Sequence, residues 1–193
     1  MNTSETRDLR ESILATAKIL FSQQGYHGLA MREISEALGV AKSALYYHFK
    51  DKEQLFLAIL ETYLDEMEGA LDRIQAETPS ADQRIRLLVE YILKQPSDQR
   101  AIIRLASQEM AQLSAAARQS FQLVYRRKFI DKIKAILQAG MGSGEFKPLD
   151  PEIATWSLLG MMFPYFYPSH AGEALADETI RQIQAVYLNG IVR

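Results

Sequence analysis

Apolar residues recur every three or four positions along almost the whole chain, and no segment alternates long enough to read as a strand. Leu9, Ile13, Ala17, Leu20 and Phe21 set the first stripe, so residues 6–24 are expected to be helical, with Thr6 as N-cap and Gly25 just past the end. A short second helix over residues 30–38 would bury Met31, Ile34 and Leu38 before Gly39, which tolerates positive φ. Residues 42–49 then suffice for about two turns, roughly 12 Å at 1.5 Å per residue. Asp51, with Gln54 three residues on, reads as a capping signal that opens a longer helix to about Gln75.

Thr78, Pro79 and Ser80 break the pattern, and Ser80 with Gln83 offers a second capping box. Ile85, Leu88, Val89 and Ile92 mark the next amphipathic helix, which Gln95 and Pro96 stop; Ile103, Ala106 and Met110 mark another. A long helix carries Phe121, Tyr125, Phe129, Ile133 and Ile136, and the glycine-rich run 140–144 is expected to be a loop. Asp150, Pro151 and Glu152 restart a helix with a cap, a proline at its first position and an acidic first turn. The helix from Ile153 to about Tyr167 is unusually apolar, and the last, about 177–192, shows Ile180, Ile183, Tyr187 and Ile191 on one face. The fold class is therefore all-α, divided near Ile59 into residues 1–58 and 59–193.

The two short helices carry the most specific pattern. Leu45 and Phe49, one turn apart, can face Ile34 and Leu38, which turns Lys42, Ser43, Tyr46 and Tyr47 outward; Ser35 is small enough for close approach. A helix of that size fits a DNA major groove about 12 Å wide. Lys42 and Ser43 are placed to read base edges, and the tyrosine hydroxyls to hold phosphates.

Charge narrows that reading. The 193 residues are 48% hydrophobic and 24% charged, with a formal net charge of −2, so any DNA contact rests on local positive potential rather than on the whole molecule. Residues 1–56 balance at seven basic and seven acidic, whereas Lys42, Lys50 and Lys52 face only Asp51 between positions 42 and 52. The chain has no cysteine, and His27, His48 and His170 are scattered without metal-ligand spacing, so neither a cofactor nor a metal is expected. No run approaches the roughly 20 apolar residues of a membrane span and the first residues are polar, so no membrane association and a cytoplasmic location are expected.

Phe21, Gly25 and Tyr26, then Ile34, Leu38, Gly39 and Val40, then Leu45, Tyr46, Tyr47, His48 and Phe49, then Lys52, Glu53 and Leu55 match, in order and spacing, the N-terminal domain of the tetracycline-repressor (TetR) family. The close resemblance covers about the first quarter of the chain. It implies nine or so helices, a homodimer and a palindromic double-stranded DNA operator. It further implies phosphate contacts from Tyr46, Tyr47, His48 and Lys52, and base contacts from Arg32, Lys42 and Ser43. Ala30, Ala41 and Ala44 depart from it, standing where a capping threonine, a serine and a phosphate-contacting threonine are usual. A lost cap costs about 0.5–2 kcal/mol, enough to weaken the reader helix without abolishing it.

In the second part, Trp156, Met161, Met162, Phe163, Tyr165, Phe166 and Tyr167 are too many for one buried stripe; they suit a ligand pocket, a dimer interface, or both. The resemblance implies a cavity between the central helices, with Tyr63, Met67, Tyr125 and Trp156 as candidate contacts for an apolar or aromatic effector, and pairing of the last two helices between copies. Arg126, Arg127, Lys128, Lys132 and Lys134 read as a solvated helix face rather than a second anion-binding surface. No acid-base pair, nucleophile or metal cluster supports an enzyme. The expected function is a ligand-responsive transcriptional repressor; the alternative is a helical dimer acting through protein partners, its DNA-reading helix degraded.

Overall fold

The computed structural model describes residues 3–167 and 175–192, so His170 lies outside the described residues. Among them the chain is helical apart from turns and one isolated bridge between Phe146 and Val192. An amphipathic stripe marks where a helix is buried rather than where it begins, and α1 (Thr3–Gly28) accordingly starts before Thr6. At its other end Gly25 takes φ 74° and ψ 175°, so the helix kinks there and makes one further turn to Gly28 instead of stopping.

Two short helices and a long one follow. α2 (Met31–Leu38) ends at Gly39 with φ 66°, where the N–H groups of Gly39 and Val40 donate to the carbonyls of Glu36 and Ser35 at 3.1 and 3.0 Å. α3 (Lys42–His48) packs Leu45 and Phe49 inward beside Ile34, all essentially buried. α4 (Lys52–Glu77) starts where Asp51 accepts the Gln54 N–H at 2.8 Å; the Gln54 side chain reaches back to Lys50, accepting its N–H at 2.6 Å. Phe21, Tyr26 and Phe56 close the small core, with ring centroids 5.1 to 6.0 Å apart.

The remainder is a helical bundle of α5 (Ala81–Leu93), α6 (Ser97–Glu109), α7 (Ala115–Tyr125), α8 (Asp131–Ser143), α9 (Pro151–Met162) and α10 (Asp177–Ile191). α7 and α8 are one rod joined by a wide π turn, Arg126–Ile130, leaving nine rods among the described residues. The reason lies in Phe121, Tyr125, Phe129 and Ile133. Three successive steps of four residues drift about 120° around a regular helix, and one i→i+5 turn absorbs that drift, so all four keep to one side. α9 stops at Met162, and Pro164 falls in a 3-10 turn, Phe163–Phe166, shortening the apolar helix expected to reach Tyr167.

Residues 140–143 are not a loop. α8 runs through Gly140 to Ser143, and Gly144 at φ 82° ends it. A Cβ on Gly140 would lie 2.3 Å from the Phe146 ring and 2.8 Å from Ala81 Cβ, so this glycine serves close packing. Beside it, Glu145 accepts from the Ser80 hydroxyl at 2.7 Å and from the Asp82 N–H at 3.3 Å, tying the start of α5 to the end of α8; these bonds hold its carboxyl below the usual range.

The basic run is likewise not merely solvated. Lys128 pairs with Asp65 and Glu68, and Lys132 with Glu68 and Asp72, clipping the rod to α4. Lys134 and Arg126 both approach Glu152 of α9, at 2.8 and 3.8 Å. No helix among the described residues is long and apolar enough to cross a membrane.

Candidate DNA-reading surface and effector cavity

Burying Leu45 and Phe49 fixes what α3 shows to solvent. Tyr47 is 75% and Tyr46 42% exposed, and Lys42 and Ser43 are exposed beside them. The Lys42 ammonium lies 5.6 Å from the centre of the Tyr46 ring, so charge and aromatic face form one patch. Arg32 is exposed on α2 and pairs with Glu36 of its own helix at 3.2 Å, a contact that a DNA base can displace at small cost. A shallow groove of about 420 Å³ brings Arg32, Lys42, Tyr46 and Lys52 together around the start of α2.

Two predicted residues are less open. Lys52 donates to the carbonyls of Tyr26 and Leu29 at 2.7 and 3.0 Å and sits 4.6 Å from the Tyr26 ring centre, holding the kinked end of α1. Two of its three donors are thus engaged, leaving one for a phosphate. His48 is half-buried, stacks edge-on against Tyr47 at 5.2 Å, and has a buried Nε2 with no hydrogen bond among the described residues; a phosphate could be met only through its other nitrogen. At the alanine departures, the Glu33 carboxylate accepts the Ala30 N–H at 2.7 Å, restoring half of a cap; Ala41 brings no side-chain bond to the start of α3.

The second feature is a cavity of about 490 Å³ among α4, α5, α6, α7 and α9. Tyr63, Met67, Tyr125 and Trp156 all line it. Met162, Phe163 and Phe166 of the aromatic segment also line it, whereas sequence reasoning missed Met110 and Phe129 and the polar Ser107 and Gln122. Phe129 was within reach, since it continues the four-residue spacing of Phe121 and Tyr125. Burial pushes the Tyr125 hydroxyl up to about 12 and that of Tyr63 further, with the nearby phenols of Tyr91 and Tyr125 adding to it. Trp156 is held at the wall by its indole N–H, which donates to Glu152 at 3.1 Å.

The two features share structure. α4 carries Lys52 at one end and Tyr63 and Met67 in the cavity wall, 11 and 15 positions on, about 17 and 23 Å along the axis. Glu53 also reaches across, accepting from the Ser114 N–H at 2.6 Å and the Ser114 hydroxyl at 2.8 Å, just before α7. On the other side His27 of α1 lies 4.0 Å from Glu109, one residue before Met110 of the cavity. No sequence pattern flags these long-range contacts, because their partners are about 60 to 80 positions apart.

A short reader helix mounted on a helix that also walls an apolar cavity defines the class of one-component regulators. Residues 13–59 match the family described as "Bacterial regulatory proteins, tetR family", and residues 78–190 match "Tetracyclin repressor-like, C-terminal domain". The chain belongs to the TetR family of DNA-binding transcriptional regulators; it is not an enzyme. It is 29% identical to the HTH-type transcriptional regulator RutR of Escherichia coli (strain K12) over 94% of this chain and 90% of that one. AibR, solved in complex with isovaleryl coenzyme A and operator DNA, is 26% identical with a TM-score of 0.75, covering 92% of this chain and 96% of its own. The regulator PfmR from Thermus thermophilus shares the fold at a TM-score of 0.80 and 24% identity, over 94% and 99% of the two chains.

Proposed function

We propose that the protein is a cytoplasmic repressor that binds a palindromic operator as a homodimer and leaves it when an apolar or aromatic small molecule fills the cavity. Residues 1–58 then act as the reader and residues 59–193 as the effector-binding and dimerising part. Lys42, Ser43 and Arg32 contact base edges; Tyr46, Tyr47, His48 and Lys52 contact phosphates. Tyr63, Met67, Tyr125 and Trp156 contact the effector.

The observation that carries this reading is the unbroken α4, with Lys52 in the groove beside α3 and Tyr63 and Met67 in the cavity wall. A ligand that favours one position of α4 changes the separation of two reader helices, and operator affinity falls by the coupling free energy. Dimerisation is supported by α9 and α10, which leave the apolar Ile153, Trp156 and Val186 68%, 49% and 67% exposed, surface that a partner's copy would cover.

Selection from a random pool of duplexes tests the reading. It should enrich an inverted repeat whose half-site centres lie about 34 Å apart, matching two reader helices in successive major grooves. A pool with no enriched sequence would remove DNA reading from the account.

A further inference from the structure

The cavity wall is uneven in a way that speaks to its occupant. Among the described residues none that lines it is charged, and the polar side chains there besides the bonded Trp156 are Ser107 and Gln122, both exposed, and the phenols of Tyr63 and Tyr125. A carboxylate or phosphate placed inside would lose its water without gaining a cation. Both phenols line the cavity on half-buried side chains and make no hydrogen bond among the described residues, so a ligand acceptor beside either one would gain a bond that nothing in the wall supplies. Burial keeps both protonated across the physiological range, so each can donate.

We infer that the cavity takes an apolar molecule carrying one uncharged acceptor, a ketone, ester or thioester carbonyl, which accepts from the Tyr63 or Tyr125 hydroxyl, while any charged group stays outside the mouth. The inference rests on the effector role proposed for the cavity and adds the polarity of what enters it. A volume of about 490 Å³ holds a medium-chain or ring-sized body. Two sources share this chemistry: a free neutral carbonyl compound, and an acyl thioester whose anionic carrier remains in solvent.

Trp156 is the chain's one tryptophan and lines the cavity, so its emission reports occupancy directly. The full-length protein is titrated with undecane, 2-undecanone, undecanoate and decanoyl coenzyme A. The ketone should bind about tenfold more tightly than the hydrocarbon, and the doubly substituted Tyr63→Phe, Tyr125→Phe protein should bring the two level, with a melting curve like the parent's. Undecanoate should bind weakly at pH 8 and gain as pH falls towards its own pKa, because only the acid form enters. Tighter binding of the thioester than of the ketone, still dependent on the tyrosines, identifies the acyl carrier as the source; the reverse order identifies a free carbonyl compound. Undecanoate matching the ketone at pH 8, or phenylalanine variants that leave the ketone unchanged, would overturn the inference while leaving an effector cavity. Failure of every probe to alter Trp156 emission would overturn the effector role itself.

Discussion

The reader end and the cavity end of this molecule solve opposite packing problems. Around α3 a handful of side chains, Ile13, Phe21, Ile34, Leu45, Phe49 and Phe56, fill a small core completely, and every exposed position is then fixed by that filling. Around the cavity the helices stop short of one another, leaving about 490 Å³ walled by methionine and aromatic groups that can rearrange. The contrast shows why the first region is written as residue identities at fixed spacing and the second only as composition. A reader needs one geometry, whereas a cavity needs a boundary.

The largest test of that difference is stability. Leu45→Ala should cost about 2–5 kcal/mol in chemical denaturation, since the compact reader core cannot collapse around the gap. Met67→Leu, a volume-conserving change at the cavity wall, should cost less than about 1.5 kcal/mol. Equal losses would break the comparison.

Next in size is DNA affinity. Tyr46→Ala and Lys42→Ala should each weaken binding to the selected operator by about 1–3 kcal/mol without moving the melting temperature, because both side chains are exposed. Lys52→Ala should lower both, since its ammonium also holds the carbonyls of Tyr26 and Leu29. A smaller effect is expected from Ser114→Ala, which removes one of two bonds to Glu53; it should change ligand-induced loss of operator affinity by about 0.5–2 kcal/mol.

The smallest effect is a pH dependence outside both regions. The Glu145 carboxyl is held low by the Ser80 and Asp82 bonds, so its contribution is present above the ordinary carboxylate pKa and fades as pH falls through the lowered value. Glu145→Gln should therefore destabilise at pH 7, with the gap closing in acid; a constant gap from pH 7 to 3 would refute this.

How much the sequence disclosed follows the same division. Ile34, Leu38, Leu45 and Phe49 carry enough periodicity to place α2 and α3 and to turn Lys42, Ser43, Tyr46 and Tyr47 outward before any coordinate is known. Tyr63, Met67, Tyr125 and Trp156 lie together on the cavity wall as expected, but from sequence they stood only as candidates drawn from a resemblance. Gly140 misled because a glycine that admits the Phe146 ring looks, in one dimension, like a glycine that ends a helix. The segment from Phe121 to Ile136 reads as one regular helix, and the π turn inside it goes unseen because four-residue steps look like ordinary helical spacing, although a regular helix cannot keep them on one face. Lys52 joined two roles that its position in a motif could not separate, and the Glu53 to Ser114 bond had no local signal at all.

The most direct test of the central claim is titration of the selected duplex at two salt concentrations with the parent protein and Lys42→Ala. Parent affinity should fall steeply at higher salt, by a factor that grows with the number of phosphates contacted, and the variant should bind more weakly. Affinity indifferent to salt, or untouched by Lys42→Ala, would mean that α3 is not the element that reads DNA.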